Sequence, residues 1–200
     1  MLSLILTYGG WILIPIALTS IATVTVAIER AWRLLPLRRR LEADRRIWIE
    51  ALALSAPEQA LESVPVSSPV GRMGRATLRE RPRGEDAMRQ AATTAAQLEV
   101  FACERGLGVL LASSQVAPLF GLLGTVIGLI SAFQGASTAE RISATVLSGG
   151  IYQALTTTVA GLLVAIPAYL LYVGLVAVVG RLTQQIERIA EDLVRVETRA

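Results

Sequence analysis

Thr125, Gln153, Thr157 and Thr158 are polar side chains set inside long stretches that carry no charge. None of them takes up or releases a proton near neutral pH. What a hydroxyl or a carboxamide can do is donate and accept hydrogen bonds. In an apolar segment such groups turn toward protein or toward a water-filled space. Two roles are open to the threonines: bonding the backbone carbonyl one turn back, or lining a narrow polar passage together with Gln153. Glycines surround them. Gly121, Gly124 and Gly128, with Gly124 and Gly128 in GxxxG spacing, remove side chains from one region of a helix so that another can approach closely, and Gly161 does the same further along.

The elements that must position these groups are read from where charge is missing. Residues 1–28, 106–139 and 142–180 hold no Asp, Glu, Lys or Arg, in a chain of 200 residues that is 53% apolar and 18% charged. A soluble domain of ordinary composition is less apolar than that. A helix needs roughly 20 apolar residues to cross about 30 Å of hydrocarbon, and each of the three stretches is longer. The expected architecture is therefore an all-α integral membrane protein with three transmembrane helices. The second and third are long enough to run past the lipid boundary, beyond what tilt absorbs.

Orientation follows from arginine. There is no Lys and no His, and residues 30–105 hold 14 of the 19 basic residues, whereas the connection between the second and third stretches holds only Arg141. The positive-inside rule then places the N-terminus outside and both the loop and the tail inside. The first stretch lacks a preceding positive region and is followed by Glu29, Arg30 and Arg33, so it reads as a retained helix rather than a cleaved signal. The expected layout is a first span over 1–30, a helical cytoplasmic loop over 31–105, a second span over 106–135, a short outer loop over 136–144, a third span over 145–180 and an amphipathic cytoplasmic tail over 181–200.

Within the loop, turn-prone residues at 55–57, 64–69 and 81–84 separate short helices. From Glu85 there is no proline before Pro118, so the Ala-rich stretch predicts one helix leading directly into the second span. In the tail, Leu182, Ile186, Ile189, Leu193 and Val196 follow a 4,3,4,3 spacing. Such a seam suits either a partner helix or this chain's own cytoplasmic helices. Absence of histidine removes imidazole catalysis and His-ligated metal, and the single Cys103 cannot close an intramolecular disulfide. No cofactor, metal site or enzyme chemistry is expected. The basic balance is assigned to membrane topology and not to nucleic acid.

Two segments carry a resemblance. Residues 117–128, APLFGLLGTVIG, followed by Ala132 and Phe133, resemble the "APLLGLLGTVxGxIxAF" segment of the MotA/TolQ/ExbB proton-channel family, and residues 153–168, QALTTTVAGLLVAIPA, resemble its "EALxTTxxGLLVAIPA" segment. With three spans, an outer N-terminus and a large cytoplasmic loop, the resemblance covers the whole chain and is nearest to the ExbB and TolQ members. It implies a bacterial inner-membrane protein that forms a ring, typically a pentamer, around helices of a single-pass ExbD- or TolR-like partner carrying an aspartate. It also implies that ion flow is coupled to a TonB- or TolA-like transducer. Matched to the family's motifs, Thr125 and Thr158 fall on its pore threonines, with Thr157 and Gln153 beside them, and Pro118 and Pro167 on prolines that shape the helices. Gln153 departs from the pattern, standing where those proteins have glutamate, and cannot titrate. No acid or base lies in any span, so a proton carrier must come from the partner. The alternative reading is an oligomeric membrane scaffold that conducts nothing.

Overall fold

The computed structural model describes residues 10–52, 57–138 and 144–197. Among these there are helices, turns and no strand. Helix α1 spans Leu13–Leu52, α2 Pro57–Glu62, α3 Pro69–Arg79, α4 Glu85–Glu104, α5 Leu107–Thr138 and α6 Ala144–Glu197, with a 3₁₀ turn at Arg81–Arg83. Three stretches, 13–51, 85–137 and 148–195, are long and apolar enough to cross a membrane. The expected all-α membrane architecture is thus present. The predicted outer connection falls largely on residues 139–143, Arg141 included, which lie outside the described residues, as do residues 1–9 of the first span and 198–200 of the tail.

Length is the first difference from expectation. The first span was expected over 1–30 with a helical loop after it; the helix that holds the described part of that span, α1, continues without a break to Leu52, 24 residues beyond Ile28, and carries Pro36 inside it. Proline removes one backbone bond, here to the carbonyl of Trp32, and a long helix with ladder bonds on either side tolerates that loss. The third helix, expected to run on beyond its span, does so: α6 is one helix of 54 residues, about 81 Å at 1.5 Å per residue, with Pro167 within it and the tail as its last part.

The second difference is a break where a continuous helix was predicted. α4 ends at Glu104, Arg105 leaves the helical region at φ −51° and ψ 136°, and Gly106 adopts φ +81° before α5 begins. Glycine enters the left-handed region without steric cost, so it ends helices there. The amide of Arg105 still donates to the Phe101 carbonyl and that of Val109 to the Gly106 carbonyl, which closes both helix ends around the glycine.

The chain forms two compact units, one of residues 1–29 with 106–174, the other of residues 30–105 with 175–200. In the first, Ile12, Leu13 and Ile16 at the start of α1 are buried against Phe120, Ile127, Ala160 and Val164 of α5 and α6. Outward, Leu18, Ile21, Val24 and Ile28 of α1, Leu122 and Val126 of α5, and Leu163 and Leu170 of α6 are exposed. Apolar surface of that extent matches a lipid solvent rather than water.

In the second unit the polarity is that of a water-soluble bundle. α3 buries Val70, Met73, Gly74 and Thr77, a helical stripe, and Ser68 stands at its N-terminus before Pro69. The Ser68 hydroxyl donates to Asp44 of α1 instead of capping its own helix. Arg72 forks onto Glu99 of α4, Nε to Oε1 and Nη2 to Oε2 both at 2.6 Å, and this pairing raises the already high pKa of Arg72. Leu182, Ile186, Ile189 and Leu193 are all buried within this unit, while the side chain of Val196 lies outside the described ones. The tail seam is therefore occupied by the chain's own helices. Arg45 of α1 donates to Asp192 Oδ2 from Nε at 2.9 Å and Nη2 at 2.6 Å, and Gln185 Nε2 donates to Glu42 at 2.7 Å, tying α6 to α1 beside that seam.

Candidate functional site

The site is built on α5 and α6 of the first unit. Within both helices charge is absent from Leu107 to Thr138 and from Ala144 to Gly180, so backbone bonding inside each helix satisfies the peptide groups and only small side chains shape the contact. A Cβ placed on Gly121 would come 3.0 Å from Thr158 Cα, on Gly124 2.6 Å from Thr157 Cβ, on Gly128 3.0 Å from Ala154 Cβ, and on Gly161 2.5 Å from the Ala117 carbonyl. As numbers rise along α5 they fall along α6. The two helices run antiparallel with backbones nearly touching.

The contact extends further than the singled-out glycines. Gly150 faces Ala132, whose Cβ would lie 2.5 Å from an added Cβ. This pair was missed, although it can be found in the sequence: Gly128 and Ala132, and Gly150 and Ala154, continue the small-xxx-small spacing on both helices.

The structure brings Thr157 and Thr158 to Gly121, and gives the two hydroxyls different surroundings. Thr157 is 1% exposed, enclosed against Gly124, and its Oγ1 donates to the Ala154 carbonyl at 2.8 Å and lies 3.5 Å from that of Gly121. Its side chain is used up by the helix contact and presents no face to a passage alongside this chain, because only the missing Cβ of Gly124 makes room for it. Thr158 is partly exposed, and its Oγ1 donates to the Gly121 carbonyl at a long 3.3 Å. Thr125, one turn from Gly121 on α5, is also partly exposed and donates to the Leu122 carbonyl at 2.6 Å. Thr156 donates one turn back to Tyr152 at 2.8 Å.

Gln153 goes to a different neighbour. Its Nε2 would lie 2.7 Å from a Cβ on Gly10, whose φ is +64°. The positive φ strains an L residue at position 10, three residues before α1, whereas the carboxamide tip of Gln153 could swing aside from an added Cβ.

Local bonding of these hydroxyls decides what they can offer. A threonine that gives its proton to a backbone carbonyl keeps lone pairs and can only accept from a third group. Thr125 and Thr158 therefore present acceptors. They suit a neutral, protonated acid, which donates, better than a carboxylate, which needs donors. Among the described residues no group of three or more His, Cys, Asp or Glu could hold a metal ion.

Thr157→Val keeps the shape and deletes the hydroxyl. Since that hydroxyl bonds the local Ala154 carbonyl and reaches Gly121 only at 3.5 Å, we expect a change in thermal stability within about 1 kcal/mol. Thr157→Leu forces added bulk against Gly124 and is expected to cost about 1–3 kcal/mol. Melting of the detergent-solubilised chain, followed by circular dichroism, checks both.

Comparison with known proteins is consistent with this helix pair. Residues 66–188 match the model of the MotA/TolQ/ExbB proton channel family. A Synechocystis protein named ExbB-like 1 is 36% identical over 183 residues, covering 84% of this chain and 68% of that protein. The biopolymer transport protein ExbB of Pseudomonas putida is 30% identical over 177 residues, covering 80% of this chain and 51% of that protein. The biopolymer transport protein exbB1 of Vibrio cholerae is 50% identical over a shorter stretch of 64 residues, 32% of this chain and 28% of that protein.

Proposed function

The chain belongs to the MotA/TolQ/ExbB proton channel family, and on that premise we propose that it is the ring-forming subunit of a proton-driven complex in a bacterial inner membrane, with its N-terminus outside and its C-terminus in the cytoplasm. In this reading it acts in biopolymer transport as the ExbB-named relatives do by their names. Copies of the chain, most simply five, surround a single-pass ExbD- or TolR-like partner whose membrane helix carries an aspartate, and the motion driven by ion flow is delivered to a TonB- or TolA-like transducer.

The observation that carries the reading is the pair of partly exposed hydroxyls, Thr125 and Thr158, on the uncharged stretches of two helices locked together by glycine. Their protons are engaged by the Leu122 and Gly121 carbonyls. A protonated aspartic acid on the partner donates to the free lone pairs, and desolvation favours that neutral form. The acid moves past the threonines uncharged and gives up its proton where water returns. One charge falling through 100 mV releases about 2.3 kcal/mol, enough to bias such a step. Gln153 supplies hydrogen bonding without a second titrating site, and Thr157 serves the packing that holds Thr158 in place.

Reconstitution of the chain with its single-pass partner in proteoliposomes, with proton flux followed by an internal pH dye, tests this. Thr158→Val is expected to lower flux about tenfold, the equivalent of one hydrogen bond to a reacting acid, and Thr125→Val to act in the same direction. Flux unchanged in both variants, or absent from the unmodified complex under an imposed gradient, would support a scaffold that conducts nothing.

A further inference from the structure

The second unit carries a groove whose charge nothing beside it answers. It runs between α4 and α6 and has a volume of about 450 Å³. Ala92 and Ala96 of α4 and Ala190 of α6 are buried along its floor, and Phe101, 67% exposed, stands at its edge. Glu104, Glu187 and Glu191 line it as well; all three are exposed and, among the described residues, none has an ion pair or a side-chain hydrogen bond. The one base in the lining, Arg89, is held by Glu85 at 2.8 Å. An apolar floor beneath unanswered negative charge fits a segment that is itself apolar and carries cations.

Such a segment exists on the same chain. Trp32, Leu35, Arg39 and Arg46 of α1 are exposed and fall within about 60° of one another around the helix, opposite the buried line of Leu34, Leu41 and Trp48. Arg39 and Arg46 have no ion pair among the described residues. This stripe faces away from the groove of its own chain: Gln185, which holds α1 through Glu42, and Glu187, which lines the groove, stand about 200° apart around α6. Two unlike faces turned to different sides make a head-to-tail contact, the kind that closes into a ring.

Depth matches as well. Copies related by rotation about the membrane normal keep each residue at one level. The pairs Arg45–Asp192 and Glu42–Gln185 join α1 to the parallel α6 across 147 and 143 positions, a mean of 145. Arg46 is therefore level with Glu191, and Arg39 stands three residues, about 4.5 Å, from the level of Glu187. Arg30 donates to the Ala102 carbonyl, which sets Trp32, about 3 Å further along α1, near the level of Phe101. We propose that a second copy of the chain fills the groove with this face of α1, so that Arg39 and Arg46 meet Glu187 and Glu191 while Trp32 covers Phe101. The inference rests on the ring reading and adds one contact to it.

The test brings two singly substituted full-length chains, Arg39→Cys and Glu187→Cys, together in one membrane and treats them with a short bis-maleimide. Cys103 is buried, and its background is read on the parent chain. A heterodimer about tenfold stronger than either variant gives alone is expected, because seating raises the effective concentration of the two thiols. In detergent, Glu187→Arg is expected to weaken association of the copies about tenfold through like charge, and Arg39→Glu in the same chain to restore it. An oligomer that forms without the heterodimer would overturn this contact and leave the ring standing. Loss of the heterodimer on adding the single-pass partner would overturn it too, and name that partner as the occupant. A parent chain that stays monomeric by native mass spectrometry would overturn contact and ring together, whereas absent flux with the heterodimer intact would uphold the contact and strike only conduction.

Discussion

Replacing Gly161 by alanine is expected to destabilise the first unit by about 1–3 kcal/mol, whereas the same change at Gly174 is expected to be neutral or stabilising by up to about 1 kcal/mol. Both glycines lie inside α6 and both changes add one methyl group. At Gly161 that methyl would meet the Ala117 carbonyl at 2.5 Å, with Gly121 Cα at 3.2 Å, while at Gly174 nothing lies within 4 Å. Backbone atoms cannot swing aside as a side chain tip can, so the cost at Gly161 is a separation of α5 from α6 along the whole contact. At Gly174 only the higher helix propensity of alanine remains. Thermal melting of the detergent-solubilised chain measures both, and equal shifts for the two variants would mean that α5 and α6 are not packed in this register.

The largest single effect is expected at Trp48. It is 1% exposed in the second unit, and truncating a buried aromatic to alanine removes its transfer free energy and leaves a cavity, about 3–5 kcal/mol together. Its indole Nε1 is buried without a hydrogen-bond partner, and a buried donor left unbonded is itself a cost. Trp48→Phe removes that donor along with part of the ring. The two changes oppose each other, and the phenylalanine variant is expected to lie within about 1.5 kcal/mol of the parent. Chemical denaturation of the second unit's helices, read in the intact protein by circular dichroism, separates the two variants. A Trp48→Phe loss as large as that of Trp48→Ala would show that the indole nitrogen is bonded in solution.

Much of the fold was legible because lipid imposes a simple rule: charge is excluded, and the three uncharged stretches coincide with parts of α1, α5 and α6. The break at Gly106 was not legible. An Ala-rich stretch with no proline reads as continuous helix, and Gly106 was the one helix-ending signal in it, which a lone glycine gives too weakly to fix φ +81° there. The tail seam was ambiguous for a different reason. Its 4,3,4,3 spacing states that Leu182, Ile186, Ile189 and Leu193 need burial but not what buries them; the neighbours beside them include α1 and α4, which are far away in sequence.

At the site, residue types named the polar groups and the glycines, while spacing left their partners undetermined. Thr157 and Thr158 are neighbours on one helix, about 100° apart around its axis. Only the placement of Gly124 determines that Thr157 is enclosed and Thr158 is left partly open. Gln153 was grouped with the threonines by its chemistry, and its neighbour proved to be Gly10, 143 positions earlier and invisible to any local pattern.

The seating of Thr157 in the gap left by Gly124 has a mechanical meaning. Sliding α5 along α6 by a fraction of a turn lifts that side chain out of its socket and presses it on the α5 backbone, because the next glycines on the same face, Gly121 and Gly128, lie three and four residues away, about 4.5 and 6 Å along the axis. The registers open to such a pair are therefore separated by about one turn, the spacing of a helix ratchet. For displacements smaller than that, α5 and the part of α6 packed on it in the first unit move together.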